Sequence, residues 1–321
     1  MEKPFVSIVI PAFNSSLTLG HAIEACLGQD YPEDRLEIII VDDGSDDNTK
    51  DIAGRYPVIY IYQEKKGPGA ARNRGWKTAK GGVIFFTDAD CVPKKDSLAI
   101  MARSLCERGV DAVAGSYGIK NAEDIMAMCI HAEIMFRHLR MPDYINSFGT
   151  YNVLIKRPVL EELSGFNEDY LTSSAEDSDL SYRMVKRGYK IYFERKSIVL
   201  HFHEKDISRY LKKQFIRSFW AIRLWKHHPA FALNDYYLHW KDLLEIPLAA
   251  MVILTLPFLF TGLFRMSFFW VLFLYIIVEA IIPFRIYFRQ IYKGEYFLML
   301  FMMFVRGFVR LAGGSLSLIK K

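Results

Sequence analysis

Through the first two hundred residues, short, largely apolar runs alternate with segments of helical spacing. The runs cover 5–10, 36–41, 58–62 and 83–87, and the segments between them cover 17–27, 47–55 and 68–79. Strands that are apolar throughout, rather than at every second position, belong to a sheet covered on both faces. Strand–helix alternation at this spacing implies right-handed crossovers and a mainly parallel sheet. Ser15 or Ser16 is the expected N-cap of the first helix, and Pro68 opens the third at a first-turn position. Further on, the pattern predicts helices over 96–107, 123–139, 157–163 and 176–187. It predicts strands over 111–116, 151–155, 190–193 and 198–202.

The run at 83–87 leads straight into Asp88-Ala89-Asp90, bounded by Gly81-Gly82 before and Pro93 after. Parallel strands end on one edge, and ligands of open α/β sheets bind beyond those ends. Three other polar clusters follow strands in the same way, at 11–14, 42–43 and 65–73. A single Asp-x-Asp is ordinarily a solvated turn. Four such clusters on one edge point instead to a nucleotide diphosphate site. Two neighbouring carboxylates repel each other, and a hard divalent cation carrying phosphate offsets that repulsion.

The pattern changes after residue 205. Over 207–228, Arg209, Lys212, Lys213, Arg217, Arg223 and Lys226 interleave with Leu211, Phe215, Phe219, Trp220, Leu224 and Trp225. A basic helix with aromatics suits a headgroup layer. The same residues would also suit a nucleic-acid surface, but the apolar stretches beside them favour lipid. Segments 243–264 and 267–284 are long enough to cross hydrocarbon, at roughly 20 residues per crossing. Each holds one acid, Glu245 or Glu279, expected near an interface or between helices. Arg265 alone marks the connection, whereas Arg285, Arg289 and Lys293 follow the second span, so both ends are expected in the cytoplasm. Segment 296–319 carries Arg306 and Arg310 near its middle, with Gly313-Gly314 after them, and a crossing would put Lys320 and Lys321 outside. It is expected to be an interfacial or re-entrant helix. The expected division is therefore 1–205 catalytic, 206–242 interfacial and 243–321 membrane.

Composition adds little to this. The chain is 51% apolar and 24% charged with a net charge of +5, averages that conceal the split. No signal-peptide pattern precedes Phe5. Cys26, Cys91, Cys106 and Cys129 form no Cys-x-x-Cys pair or metal spacing, and are expected as reduced thiols in a reducing compartment.

Taken together, VSIVIPAFN at 6–14, VDDGSD at 41–46, GAARNRG at 69–75 and TDAD at 87–90 resemble the family 2 glycosyltransferases of GT-A fold. Glu176-Asp177 with Asp179-Leu180 and Arg183 is similar to that family's later acidic motif. The resemblance covers roughly residues 4–203. It implies that Pro11, Ala12 and Asn14 line the nucleotide pocket, that Asp43 bonds the base, and that Arg72 lies near the nucleotide and Asp88 near the ribose. It further implies that Asp90 holds Mg²⁺ or Mn²⁺ against the diphosphate, and that the sugar is inverted in one displacement. His201, in His201-Phe202-His203, either completes the metal shell or is a structural histidine. Breaking a sugar–phosphate bond builds negative charge on the leaving diphosphate, which a cation stabilises, and the acceptor hydroxyl needs a carboxylate to take its proton. Asp177 is the chosen base, helix capping being its other reading, while Asp179 is assigned to capping or packing.

The sequence thus reads as a membrane-attached glycosyltransferase with a nucleotide-sugar donor and a lipid-linked acceptor, binding no nucleic acid. Three alternatives stand beside it. Gln214-x-x-Arg217 is similar to a motif of processive polysaccharide synthases, though Ser218 stands where that motif has Trp. A phosphatase with Asp88 as nucleophile would leave Asn14 and Asp42-Asp43 unexplained. A catalytically dead membrane scaffold would bind donor without turnover.

Overall fold

The computed structural model describes residues 3–172, 174–262, 265–288 and 295–320. Of the charges weighed for orientation, Arg289, Lys293 and Lys321 lie outside these, as does Phe264 at the end of the expected first span. The chain forms two compact units, one of residues 1–120 and 141–202, the other of 121–140 and 203–321.

The first unit opens with β1 (Val6–Ala12), α1 (Leu19–Leu27), β2 (Leu36–Asp43), α2 (Thr49–Ala53), β3 (Ile59–Gln63), α3 (Pro68–Thr78) and β4 (Val83–Thr87). It continues with β5 (Cys91–Pro93), α4 (Ser97–Glu107) and β6 (Ala112–Ile119). After α5 (Ile125–His138), which belongs to the second unit, come β7 (Tyr144–Ile145), β8 (Asn152–Lys156), α6 (Arg157–Glu162), α7 (Glu176–Lys186) and β9 (Ile191–His201). The strands form one sheet in the order β3-β2-β1-β4-β8-β6-β9-β5, with β7 added to β9.

The first half is parallel as the alternation implied, β1 pairing with β2 and β4, and β2 with β3. The second half is mixed, because β8 enters antiparallel between β4 and β6. Every residue of β4 is buried, and Val6, Ile8, Ile10, Ile38, Ile40, Phe85 and Leu154 share one core with α1 and α4. Gly75 lets α3 settle on the sheet: a Cβ there would stand 2.3 Å from Val9 Cγ1.

Two expectations need correction. The first helix begins at Leu19 with Thr18 before it and no side-chain cap; Ser15 contributes its backbone carbonyl, which accepts from the amides of Thr18 and Leu19. The strands expected at 190–193 and 198–202 are one strand, β9. Its register on β6 jumps from Gly115↔Glu194 to Ser116↔Ile198, so the charged stretch at 195–196 bulges out while pairing resumes beyond it.

The second unit contains α5, α8 (Ile207–His227), α9 (Trp240–Thr255), α10 (Arg265–Phe288) and α11 (Tyr296–Ile319). Segments Trp240–Phe260, Arg265–Ile286 and Tyr296–Ile319 are each long and apolar enough to cross a membrane. Phe260, Trp270, Phe297 and Ile319 are among the large apolar side chains they leave exposed. α11 runs unbroken through Gly313-Gly314, so the glycines do not interrupt it as a re-entrant turn would require. They serve close packing instead, since a Cβ on Gly313 would lie 2.4 Å from the Phe215 carbonyl oxygen of α8.

Charges inside this unit are paired. The Arg306 guanidinium, 1% exposed, donates to Glu133 of α5 at 2.7 and 2.8 Å and to Glu245 of α9 at 3.0 Å through both Nε and Nη2. Lys241 reaches Glu245 at 3.2 Å and Glu279 at 2.6 Å, and Arg137 joins Glu133 to Asp242. Glu245 and Glu279 therefore lie between helices. α8 buries Tyr210, Gln214 and Ser218 on one face and leaves Arg209, Lys212, Lys213, Arg217 and Lys226 exposed. Gln214 Oε1 accepts from Arg310 Nη2 at 2.7 Å, so the glutamine of the synthase-like pattern is held by α11.

Candidate active site

The register of the parallel strands brings the predicted loops to one edge. Ala12 pairs with Asp42 and Val9 with Phe86, so β1, β2 and β4 all deliver their carboxyl ends there. Pro11 and Ala12 close β1. Asn14 follows with a left-handed backbone, φ 49°. Its amide donates to Ser45 Oγ at 2.9 Å and its Oδ1 accepts from the Asp46 amide at 3.0 Å. Asn14 thereby ties the loop after β1 to the loop after β2.

Asp42 and Asp43 divide their work. Asp42 accepts from the Ser45 amide at 2.8 Å and the Tyr60 hydroxyl at 2.7 Å. Asp43 is buried and accepts from Gln63 Nε2 at 2.7 Å and from the Lys66 and Gly67 amides at 2.8 Å each. Gly67 has φ 99°, and a Cβ there would meet the Leu171 carbonyl oxygen at 2.9 Å, so the turn needs glycine. Asp43 thus fixes the loop that starts α3.

Arg72 is the buried centre of the site. Its Nη2 donates to Asp88 Oδ1 and its Nη1 to Glu176 Oε1, both at 2.8 Å. The expected nucleotide-side arginine is therefore held between the end of β4 and the start of α7. Burial raises the Asp88 carboxyl; the Arg72 charge opposes that and the neighbouring Asp90 charge adds to it. Glu176 also accepts from the amides of Ser174 and Ala175 at 2.9 and 3.1 Å, which fixes the turn into its own helix.

Asp177 follows on the same first turn, its carboxylate accepting from the Ser178 amide at 2.8 Å. Burial, then repulsion from Glu176, push it up to about 7 against the pull of Arg72. A carboxyl in that range exchanges protons near neutrality, as a base requires. Asp179 pairs with Arg183 at 2.8 Å, and Arg183 in turn donates to the Leu163 and Gly165 carbonyls, so this acid and base brace the preceding turn.

Asp90 and His201 come together, with Nε2 3.3 Å from Asp90 Oδ2. Carboxylate, imidazole and the Cys91 thiol each offer an atom within 4.8 Å of the others, a spread that suits one divalent cation. His203 belongs to the second unit, where it is buried against Asn121 and stands 3.4 Å from His131. Sequence reasoning missed Cys91, Glu176 as the partner of Arg72, and Asn73. Asn73 Nδ2 donates to the Phe166 carbonyl and Glu168, and its Oδ1 accepts from Trp76 and the Phe166 amide. Asn73 and Glu176 were visible as motif members, but their partners lie 93 and 104 residues away in the chain.

Comparison with known proteins agrees with this fold. The sequence model described as "Glycosyl transferase family group 2" matches residues 83–309, and that described as "Glycosyl transferase family 2" matches residues 7–153. Glycosyltransferase AglE of Haloferax volcanii is 29% identical over 231 residues, 69% of this chain and 74% of that one. The dolichyl N-acetyl-alpha-D-glucosaminyl phosphate 3-beta-D-2,3-diacetamido-2,3-dideoxy-beta-D-glucuronosyltransferase of Methanococcus voltae is 25% identical over 230 residues, covering 65% of this chain and 70% of its own. Several further relatives are matched over less than half their length. Among solved structures, a mannosyltransferase of Pyrobaculum calidifontis in complex with GDP-Man and Mn²⁺ superposes with a TM-score of 0.66 at 20% identity, over 98% of this chain and 88% of that one.

Proposed function

This chain belongs to the family 2 glycosyltransferases, and on that premise we propose that it moves one sugar, with inversion, from a nucleotide diphosphate donor to a lipid-linked acceptor at the cytoplasmic membrane face. The observation that carries the reading is Asp177, a half-buried carboxyl raised to about 7 beside the Arg72 bridge to the loop of Asp88 and Asp90.

In this reading Pro11, Ala12, Asn14, Asp43 and Asp88 form the donor pocket, and Arg72 holds Asp88 and Glu176 in place around it. Asp90 and His201 would hold Mg²⁺ or Mn²⁺, which supplies Lewis-acid stabilisation of the leaving diphosphate. Asp177 takes the acceptor hydroxyl proton as the oxygen attacks the anomeric carbon. Membrane attachment is supported by three apolar helices and the exposed basic face of α8. A lipid-linked acceptor is supported by the Methanococcus relative, whose name specifies a dolichyl phosphate sugar. Orientation is supported by Arg265 standing alone at the connection, with Arg285, Arg289 and Lys293 on the other side.

The test is nucleoside diphosphate release by the purified chain against a panel of nucleotide sugars, with and without polyprenyl phosphate acceptors. Asp177→Asn is expected to lower transfer by about 10²- to 10⁴-fold, the usual contribution of a general base, while donor binding holds. Wild-type-like turnover in Asp177→Asn removes the base assignment. A ladder of long products, rather than a single addition, makes the enzyme a processive synthase.

A further inference from the structure

β5 and β9 run antiparallel with Cys91 directly opposite His201. Opposed residues of such a pair send their side chains to one face, with Cβ atoms about 4.5–5.5 Å apart. Asp90 adds its carboxylate between them, with Oδ1 3.7 Å from Cys91 Sγ and Oδ2 3.3 Å from His201 Nε2. One atom from each residue falls within 4.8 Å of the other two. Ligands of a tetrahedral cation at about 2.0–2.3 Å stand roughly 3.3–3.8 Å from one another, so small side-chain adjustments close the set.

We propose that Cys91 is a third protein ligand of the cation site, giving an Asp–Cys–His donor set that favours a thiophilic divalent cation (Zn²⁺, Co²⁺ or Cd²⁺) over Mg²⁺. The inference rests on the reading of Asp90 and His201 as metal ligands and adds to it the identity of the preferred ion. Oxygen-only sites suit Mg²⁺ and Mn²⁺, whereas sulfur with imidazole suits zinc-like ions. On binding, the S–H bond breaks, the metal–sulfur bond forms and the proton leaves to solvent, with no change of oxidation state. Three protein ligands leave a fourth position for a substrate oxygen. Tyr117, edge-on to the His201 ring at 5.2 Å and stacked on Tyr151 at 3.5 Å, steadies the imidazole.

The experiment uses the full chain in detergent, titrated with Co²⁺ and followed by absorption, with Zn²⁺ and Mn²⁺ affinities from calorimetry. Wild type is expected to show a thiolate-to-cobalt charge-transfer band that Cys91→Ser and Cys91→Ala both lose. Cys91→Ser is expected to weaken Zn²⁺ by at least about tenfold, a ligand-scale loss, and to leave Mn²⁺ nearly unchanged. Co²⁺ binding without the band, or equal Zn²⁺ affinity in Cys91→Ser, overturns the proposal. Asp90→Asn separates the two levels. If it weakens Mn²⁺ while Cys91→Ser leaves Zn²⁺ untouched, only the thiol ligand fails. If Asp90→Asn binds Mn²⁺ like wild type, the metal-site reading fails with it.

Discussion

Arg72 and Glu176, 104 residues apart in the chain, meet at 2.8 Å through Nη1 and Oε1. Because Nη2 of the same guanidinium holds Asp88, one buried cation joins the end of β4 to the first turn of α7. The candidate base Asp177 sits next to one end of that bridge, and burial raises its carboxyl first, with Glu176 adding to that rise and Arg72 opposing it. Four expectations follow from this arrangement and from the charges inside the helical unit.

As the proposed base, Asp177 would work only when ionised, and its carboxyl is raised to about 7. Turnover is therefore expected to fall by about tenfold per pH unit below that value and to level off above it. Glu176→Gln removes a repelling carboxylate, which favours ionised Asp177, so the acidic limb should move to lower pH. A pH profile of kcat for the two proteins checks this. An unmoved limb would mean that Asp177 does not control the step.

Arg72→Met leaves Glu176 buried without its cation and Asp88 without its pair. Loss of one partner from a buried ion pair costs about 3–5 kcal/mol. A lowered midpoint of thermal unfolding is expected, with partial recovery in Arg72→Met combined with Glu176→Gln.

Chelation with EDTA is expected to stop nucleoside diphosphate release, and an added divalent cation to restore it. Asp90→Asn should need more cation for half-maximal rate. Undiminished release after exhaustive chelation would rule out metal dependence.

Arg306 bridges Glu133 and Glu245 at 2.7–3.0 Å while 1% exposed. Arg306→Met takes one cation from each of two buried carboxylates, which keep Arg137 and Lys241 as partners, and should destabilise the helical unit by about 1–3 kcal/mol. Resistance to denaturant in detergent measures it. Exposed Lys212→Ala and Lys213→Ala on α8 should leave that resistance unchanged and weaken binding to anionic vesicles instead.

The parts of this fold legible in the sequence are those set by local pattern. The strand over 83–87 agrees with β4 to the residue, because four apolar residues and a β-branched threonine between Gly82 and Asp88 admit few other bounds. The common edge of Asn14, Asp43, Asp88 and Asp90 followed from parallel topology alone. Contacts made by register or across long stretches of chain were not legible. Cys91 was visible beside Asp90, but only the β5–β9 pairing sets it against His201. Arg306 read as a charge awkward for a span because its partner Glu133 lies 173 residues earlier. Ser15 offered a plausible cap by composition, yet Thr18 occupies the position.

Residues 121–140 fall within the sequence of the catalytic unit but pack with the C-terminal helices. Met126, Cys129, Ala132 and Phe136 of α5 join Ile282, Ile286, Met299, Met302 and Met303 in one apolar cluster. A stop codon after residue 202 would therefore not yield a tidy water-soluble enzyme. It would leave an oily helix in the middle of the remaining polypeptide, with Glu133 and Arg137 deprived of Arg306 and Asp242. Expression of the catalytic half alone calls for a redesigned 121–140 loop. Degradation or aggregation of simple truncations is the expected fate of this chain's architecture.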